Sequence, residues 1–197
     1  MKRIIFANGN EGKMREVKMI LKDLPAEIVS MKEAGIDVDI KENGTTFEEN
    51  AIIKAKTVME LTGELVLADD SGLEVDYLGG RPGIYSARFL GEGTPYTVKN
   101  QYIVDCLKNV KGDARSARFV CVIAAAFPDG RVETTRGTIE GQITYEEKGT
   151  NGFGYDPIVY VPEYGMTTGE MTPELKNSIS HRGKALKAMK EVILNNN

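Results

Sequence analysis

One long apolar stretch, SARFVCVIAAAF at residues 116–127, leaves few folds open to this chain. Its apolar residues occupy both faces of the strand that it would form, so that strand does not suit a solvent-facing edge. We therefore expect a central strand in a sheet flanked by helices, which is an α/β architecture. The chain has 197 residues, enough to bury such a core, and no linker, repeat or low-complexity stretch divides it. We expect a single domain spanning 1–197.

The N-terminal residues have the pattern that opens an α/β unit. RIIFA, residues 3–7, predicts a buried strand, and NGNEGK, residues 8–13, predicts a polar loop. Apolar residues then recur at helical spacing as far as Pro25. The apolar positions of this predicted helix are Met14, Val17, Ile20, Leu21 and Leu24.

Capping residues predict two further helices. Thr46 and Glu49 form a capping box, and the helix that they begin should end at Gly63 before a strand at LVLAD, residues 65–69. Thr94 and Pro95 have the types expected of an N-cap and a first-turn proline, for a helix that continues through Val110.

The C-terminal half predicts a hairpin and one more helix. PDG follows the apolar stretch, and RVETTRGTIEGQIT, residues 131–144, alternates in part, which favours antiparallel pairing and therefore a mixed sheet. After SHRG, residues 180–183, one helix face carries Ala185, Leu186, Met189, Val192 and Ile193.

Charge and cysteine content exclude several classes of protein. The net charge of -4, without a basic block, does not fit a nucleic-acid binder. Cys106 and Cys121 are too few for a zinc site or a disulfide framework, so we expect free thiols. The apolar run after the first three residues is too short for a signal peptide, and no run could span a membrane. We expect a cytoplasmic protein.

Two adjacent carboxylates in ADDSGLEVDYLGG, residues 68–80, form the first candidate site. We expect the buried strand to end on Asp69 and Asp70, at the sheet edge where ligands of α/β proteins bind. With Glu42 they supply the hard oxygen ligands that Mg²⁺ prefers. The alternatives are a strand-to-turn junction for the aspartates and a solvated surface charge for Glu42.

The loop NGNEGK suits a phosphate group. Backbone N–H groups at such a loop and at the next helix N-terminus bind phosphate oxygens, and Lys13 adds a positive charge. The spacing of Gly9 and Gly12 differs from that of a Walker motif, and Met14 replaces its Ser or Thr. An ordinary turn is the alternative.

Two later segments could hold a purine base. In GTNGFGYDP, residues 149–157, the rings of Phe153 and Tyr155 could stack on a base and Asp156 could accept from a ring N–H, unless the aromatics pack in the core. His181 and Arg182 would give two donors suited to a carbonyl oxygen and unsuited to an amino group, although a lone histidine is more often structural.

These motifs together resemble one family. ADDSGLEVDYLGGRPGIYSARF, GFGYDP and SHRG, in this order and at nearly full length, are similar to the non-canonical purine nucleoside triphosphate pyrophosphatases, also called inosine or xanthosine triphosphate pyrophosphatases. The resemblance implies an elongated mixed sheet flanked by helices, two lobes with an active-site cleft between them, and a homodimer. It also implies Mg²⁺-dependent hydrolysis of dITP, ITP and XTP to the monophosphate and pyrophosphate, with Mn²⁺ as a substitute.

The resemblance also implies roles for individual residues. Glu42 and Asp70 would bind the metal, and Asp70 would accept the proton of the attacking water. Asn8 and Tyr155 depart from the family, which usually has Thr or Ser at the first position and in some members Trp at the second. The implied substrate contacts are Asn8, Gly9, Asn10, Glu11, Gly12, Lys13, Lys54, Ser71, Phe153, Gly154, Tyr155, Asp156, Lys176, His181 and Arg182.

Other functions fit the sequence less well. A pyrophosphatase of similar architecture acting on ordinary or methylated pyrimidine nucleotides is the nearest enzymatic alternative. A nucleotide-sensing module would bind without hydrolysis, but the joint presence of Lys13, Glu42 and Asp70 argues against it. The missing Walker spacing disfavours a kinase.

Overall fold

A mixed seven-stranded sheet organises the chain in a computed structural model, which describes residues 2–195. The strand order is β2-β1-β3-β4-β5-β6-β7. The strands are β1 (Lys2–Phe6), β2 (Ala26–Ser30), β3 (Leu65–Val75), β4 (Ser116–Ala126), β5 (Val132–Ile143), β6 (Val159–Val161) and β7 (Met166–Thr167). The helices are α1 (Glu11–Ile20), α2 (Phe47–Thr62), α3 (Tyr96–Cys106), α4 (Pro173–Ile179) and α5 (His181–Asn195).

The strand directions confirm the predicted mixed α/β fold. β1 pairs in parallel with both β2 and β3, whereas β6 pairs antiparallel with β5 and with β7. The apolar strand β4 lies fourth of seven and is buried along nearly its whole length, as its composition predicts. Phe127 and Arg131 close the turn to β5, where the Phe127 N–H donates to the Arg131 carbonyl oxygen at 2.9 Å.

Contacts divide the described residues into two compact units, each with its own apolar core. Unit 1 holds the residues up to Asp70, Cys121–Gly137 and the residues from His181 onward. Unit 2 holds Ser71–Val120 and Thr138–Ser180. The core of unit 1 includes residues from β1, β3, β4, α1 and α5, and that of unit 2 includes residues from β3, β4, β5 and α3. Strands β3, β4 and β5 each contribute residues to both units. The single domain and the cleft expected from the sequence stay predictions.

The prediction that a strand ends on Asp69 and Asp70 is wrong, because β3 continues to Val75. Gly72 allows this continuation by close packing, since a Cβ there would overlap the Gly83 carbonyl oxygen and Ser86 Oγ. The chain turns only after Val75, through a 3₁₀ segment, Asp76–Leu78, which is capped by Gly79 with a φ of 66°. The Ser-Gly pair is therefore part of the strand and is not a turn.

Helix ends differ from the predictions by a few residues. α1 begins at Glu11, ahead of the first predicted apolar position, because Asn10 Oδ1 accepts from the Lys13 N–H at 3.0 Å. α1 ends at Ile20, although Leu24 still packs in the core of unit 1. By contrast, α2 has both predicted caps: Thr46 precedes it, and Gly63, whose φ is 67°, follows its last residue, Thr62.

The predicted start and end of α3 are both displaced. Pro95 is its N-cap, because the Thr94 hydroxyl donates instead to the Leu90 carbonyl oxygen at 2.9 Å. The helix ends at Cys106, four residues before the predicted Val110. Among all the helices of residues 2–195, none is long and apolar enough to cross a membrane.

Candidate active site

The predicted phosphate loop lies in unit 1, between β1 and α1. Asn8 Oδ1 accepts from the Asn10 N–H at 2.7 Å, and Asn10 in turn caps the helix through the Lys13 N–H. Glu11, Gly12 and Lys13 form the first turn of α1 and are not loop residues as predicted. A helix N-terminus presents N–H groups and a positive dipole end, so this local structure can bind an anion.

Asp69, predicted with Asp70 and Glu42 to supply oxygen ligands for Mg²⁺, is the most enclosed carboxylate of unit 1. Its side chain is 0% exposed and lies against Asn8 Nδ2 at 2.7 Å, Lys13 Nζ at 2.9 Å and Arg182 Nη2 at 3.3 Å. Burial acts to raise the pKa of Asp69, but Lys13, Arg182 and Lys54 outweigh it and hold the pKa well below its usual range. Asp69 is therefore a fixed negative charge.

Asp70 has a contrasting environment on the same strand, where successive side chains point to opposite faces. Its Oδ1 lies 3.8 Å from Lys54 Nζ, and its buried Oδ2 accepts no hydrogen bond from residues 2–195. Burial raises the pKa of Asp70 to about 6, against the opposing effect of Lys54 and Lys13. The oxygen without a protein partner suits a metal ligand. The raised pKa suits a proton acceptor.

Lys54 connects Asp70 with the other predicted metal ligand, Glu42. The buried Nζ of Lys54, on α2, donates to Glu42 Oε2 at 3.0 Å. Burial acts to lower the pKa of Lys54, but Asp69, Asp70 and Glu42 raise it, so the ammonium stays charged. Glu42 precedes α2, and its side chain is 31% exposed, which leaves it reachable from solvent.

The carboxylates of Glu42 and Asp70 fit Mg²⁺ on their donor chemistry. Mg²⁺ is usually bound through one or two carboxylates, with waters and substrate phosphates as the other ligands. Within the described part of the chain, no group of three or more His, Cys, Asp or Glu side chains could hold a metal ion. Asp70 Oδ2 is the buried acceptor that such an ion would satisfy.

The predicted donor pair, His181 and Arg182, begins α5 in unit 1. Both side chains are buried, and the Arg182 guanidinium donates to carboxylate oxygens of Glu16 and Asp69. Burial acts to lower the pKa of Arg182, but Glu16 and Asp69 raise it above its usual value. Gly137 of β5 permits this approach of the helix, because a Cβ there would overlap the His181 carbonyl oxygen.

The segment GFGYDP lies in unit 2 and is held by Asp156. Asp156 Oδ2 accepts from Lys176 Nζ at 2.6 Å and from the Phe153 N–H at 2.9 Å, while Oδ1 accepts from the Thr168 hydroxyl at 2.9 Å. Lys176 Nζ also lies 4.7 Å from the centroid of the half-buried Phe153 ring. Asp156 therefore has protein partners at both oxygens, and Thr168 is a contact that sequence reasoning missed.

Tyr155 and Phe153 have different exposures within unit 2. Tyr155 is buried, its hydroxyl donates to the Ser86 carbonyl oxygen at 2.6 Å, and its ring makes an edge contact with Tyr96. Burial raises the pKa of Tyr155. Tyr155 thus packs as the core alternative expected, whereas Phe153 has a ring that is partly accessible.

The two units contain different sets of the predicted residues. Unit 1 brings together the loop, the metal-type carboxylates and the α5 start, and unit 2 brings together Phe153, Asp156 and Lys176. The predicted residues of unit 1 are Asn8, Gly9, Asn10, Glu11, Gly12, Lys13, Glu42, Lys54, Asp70, His181 and Arg182; those of unit 2 are Ser71, Phe153, Gly154, Tyr155, Asp156 and Lys176.

Comparison with known proteins identifies the family. The sequence profile described as the Ham1 family matches residues 4–192. The chain belongs to the Ham1 family. The dITP/XTP pyrophosphatase of Desulforamulus reducens is 51% identical to it over 191 residues, covering 97% of this chain and 95% of the relative. The dITP/XTP pyrophosphatase of Clostridium perfringens is 49% identical over 197 residues, with 97% of each chain covered.

Solved structures of Ham1 proteins share the fold. The Staphylococcus aureus Ham1 protein superposes with a TM-score of 0.88 and 39% identity, covering 100% of both chains. The nucleoside-triphosphatase, or dITP/XTP pyrophosphatase, of Mycobacterium abscessus gives a TM-score of 0.77 and 36% identity, covering 95% of this chain and 98% of that one. The family resemblance noted in the motifs is confirmed.

Proposed function

We propose that this Ham1 protein hydrolyses dITP, XTP and ITP to the nucleoside monophosphate and pyrophosphate, and so removes deaminated purines from the nucleotide pool. The observation that carries the proposal is Asp70, a buried carboxylate with one unpartnered oxygen beside Lys54 and a raised pKa. Relatives about half identical to this chain are named dITP/XTP pyrophosphatases, which supports the first two of these substrates.

The residues of unit 1 would hold the triphosphate and activate water. The N-terminus of α1, with Lys13, would bind phosphate oxygens, and Lys54 would offset negative charge near Asp70. Asp70 would orient the attacking water and accept its proton, a role that fits its raised pKa. No residue is required as a covalent nucleophile in this scheme.

We propose Mg²⁺ as the cofactor, held by Glu42 and Asp70, with Mn²⁺ able to replace it. When bound, the ion would supply positive charge that stabilises the leaving pyrophosphate and lowers the pKa of a coordinated water. The all-oxygen donor set of these two carboxylates favours Mg²⁺ or Mn²⁺ over softer metals.

Base selection would depend on donors. Hypoxanthine and xanthine carry an oxygen at C6 where adenine carries an amino group, and Arg182 can only donate. Adenine in such a position would set N–H groups against N–H groups, which costs binding energy. Phe153 would offer an aromatic face for stacking, with Lys176 as a neighbouring cation. The fully bonded Asp156 would hold this segment in place.

We also propose a cytoplasmic homodimer that acts on small nucleotides and not on nucleic acid. The acidic net charge of -4 supports the last point. Size-exclusion chromatography with light scattering would test this oligomeric state. A homodimer should give a molar mass twice the chain mass of 21.6 kDa.

A substrate panel tests the proposed function. Pyrophosphate release is measured with XTP, dITP, ITP, GTP, ATP and a methylated pyrimidine triphosphate, each with Mg²⁺ and with excess EDTA. We expect rapid release from the first three substrates and a strict need for the cation. Preference for the pyrimidine, or binding of XTP without hydrolysis, would favour the alternative functions and contradict this one.

A further inference from the structure

Asp69 connects three parts of unit 1 through one buried carboxylate. It lies on β3, and its partners are Asn8 after β1, Lys13 on α1 and Arg182 on α5. We infer that Asp69 is a positioning residue that couples the phosphate-binding loop to the arginine that recognises the purine. The inference rests on the proposed function, since that function gives the loop and the arginine their ligands.

On the phosphate side, the coupling passes through the side chain of Asn8. Its Nδ2 donates to Asp69 Oδ1 at 2.7 Å, and its Oδ1 accepts from the Asn10 N–H at 2.7 Å. Asn10 then caps α1 through the Lys13 N–H. Both polar atoms of the Asn8 amide are thus bonded within the protein, so this side chain braces the loop while the backbone and Lys13 meet the ligand.

On the purine side, the coupling passes through Arg182. Its guanidinium donates to Asp69 Oδ2 at 3.3 Å and to Glu16 on α1. The side chains of Arg182 and Asp69 are 2% and 0% exposed, so water screens their interaction weakly. Without the Asp69 carboxylate, the positive charges of Lys13 and Arg182 would lose a buried negative partner. We therefore expect both side chains to move.

The strand pattern explains why Asp69 can have this role while Asp70 has another. Adjacent strand residues point to opposite faces, and only Asp69 faces the side on which Asn8 and Arg182 lie. Asp69 contacts no ligand in the proposed mechanism, so its effect on turnover would be transmitted by Asn8, Lys13 and Arg182.

The test separates the two sides with partial ligands. Dissociation constants are measured by calorimetry for inorganic tripolyphosphate, which reports the phosphate side, and for xanthosine, which reports the purine side. We expect Asp69→Asn to weaken both by about tenfold or more, the effect of losing one charge-assisted hydrogen bond. Asp129→Asn is the matched control, because Asp129 is exposed and pairs with Arg131 in a turn of unit 1. It should change neither constant.

Suppose that Asp69→Asn has the circular dichroism spectrum of the wild type. A change in only one of the two dissociation constants, or in neither, would then overturn the inference. If Asp69→Asn fails to fold, Asn8→Ala, Glu16→Gln and the double variant replace it. Coupling through Asp69 predicts that their effects on tripolyphosphate binding differ from additivity by more than about threefold, and additive effects would overturn it. Wild-type turnover of XTP is recorded first, so failure of the proposed function would be seen separately from failure of the coupling.

Discussion

At the scale of single residues, two adjacent aspartates have opposite pKa shifts. Asp69 is surrounded by cations and has a pKa held well below its usual range, whereas burial raises the pKa of Asp70 to about 6. A sequence motif treats the pair as one feature. The structure separates a permanent charge from a carboxylate that can take up a proton near neutrality.

Replacement of Asp70 by Asn should separate activity from stability. The amide cannot accept a proton from water or supply a charge to Mg²⁺, so we expect the rate of pyrophosphate release to fall about 10²–10⁴-fold. Because the folded state disfavours the ionised form of Asp70, the melting temperature should stay the same or rise. Release kinetics and thermal melts of Asp70→Asn and of the exposed control Asp129→Asn measure both quantities. A folded variant within about threefold of wild-type activity would remove Asp70 from the mechanism.

The two cysteines should differ in reactivity. Cys121 on β4 is fully buried, and burial raises the pKa of its thiol to about 12. Cys106 is partly exposed at the end of α3. Since the thiolate is the reactive form, an aromatic disulfide reagent at pH 8 should titrate one thiol in the native protein and two in denaturant. Cys106→Ser should remove the native reaction, and two rapid equivalents in the native wild type would contradict the assignment.

At the scale of elements, periodicity and capping residues predicted more than turn composition did. β4 was predictable because an apolar stretch of that length suits only a central strand, and α2 because Thr46 and Gly63 mark its ends. The end of β3 was not predictable. Glycine is a residue type common in turns, but Gly72 lies within the strand, where its missing Cβ leaves room for the Gly83 carbonyl oxygen. Local sequence does not indicate this contact, because Gly83 lies in a different segment of the chain.

The same limit applies to the candidate site. Local sequence indicates that Asp, Lys and Arg could bind a nucleotide, because each has a side chain suited to phosphate, metal or base. It does not indicate partners such as Glu16 with Arg182, or Thr168 with Asp156, since both contacts join separate elements. These contacts depend on packing of the tertiary structure.

The contact of α5 with β5 gives a prediction for one glycine. Ala at position 137 would place its Cβ against the His181 carbonyl oxygen and 2.8 Å from the Ala185 N–H nitrogen. We expect Gly137→Ala to lower the free energy of unfolding by about 1–3 kcal/mol, as overpacking does, and to lower kcat/KM by displacing Arg182.

Urea denaturation and XTP kinetics of Gly137→Ala provide the measurement. Thr134→Ala, an exposed position on the same strand, should change stability by less than about 0.5 kcal/mol and leave kinetics unchanged. Equal stability of the two variants would show that β5 and α5 can separate without cost.

At the scale of the whole molecule, shared strands should make unfolding cooperative. Leu67 and Leu73 lie on β3 and are both fully buried, one in the core of unit 1 and the other in that of unit 2. We expect Leu67→Ala and Leu73→Ala each to cost about 2–5 kcal/mol and each to shift a single calorimetric transition. Two resolved transitions, of which each variant moves only one, would mean that the units are separate domains and would contradict the predicted single domain.

The core of unit 1 can form completely only near the end of synthesis, because it includes α5, the last helix of residues 2–195. Its core needs Ala185, Leu186, Met189 and Ile193 from α5, which is synthesised after every element of unit 2. Arg182, the partner of Asp69, belongs to the same helix. A nascent chain therefore carries Lys13, Asp69 and Asp70 for most of its synthesis without the helix that completes their surroundings, and catalytic competence should arise only when α5 has emerged.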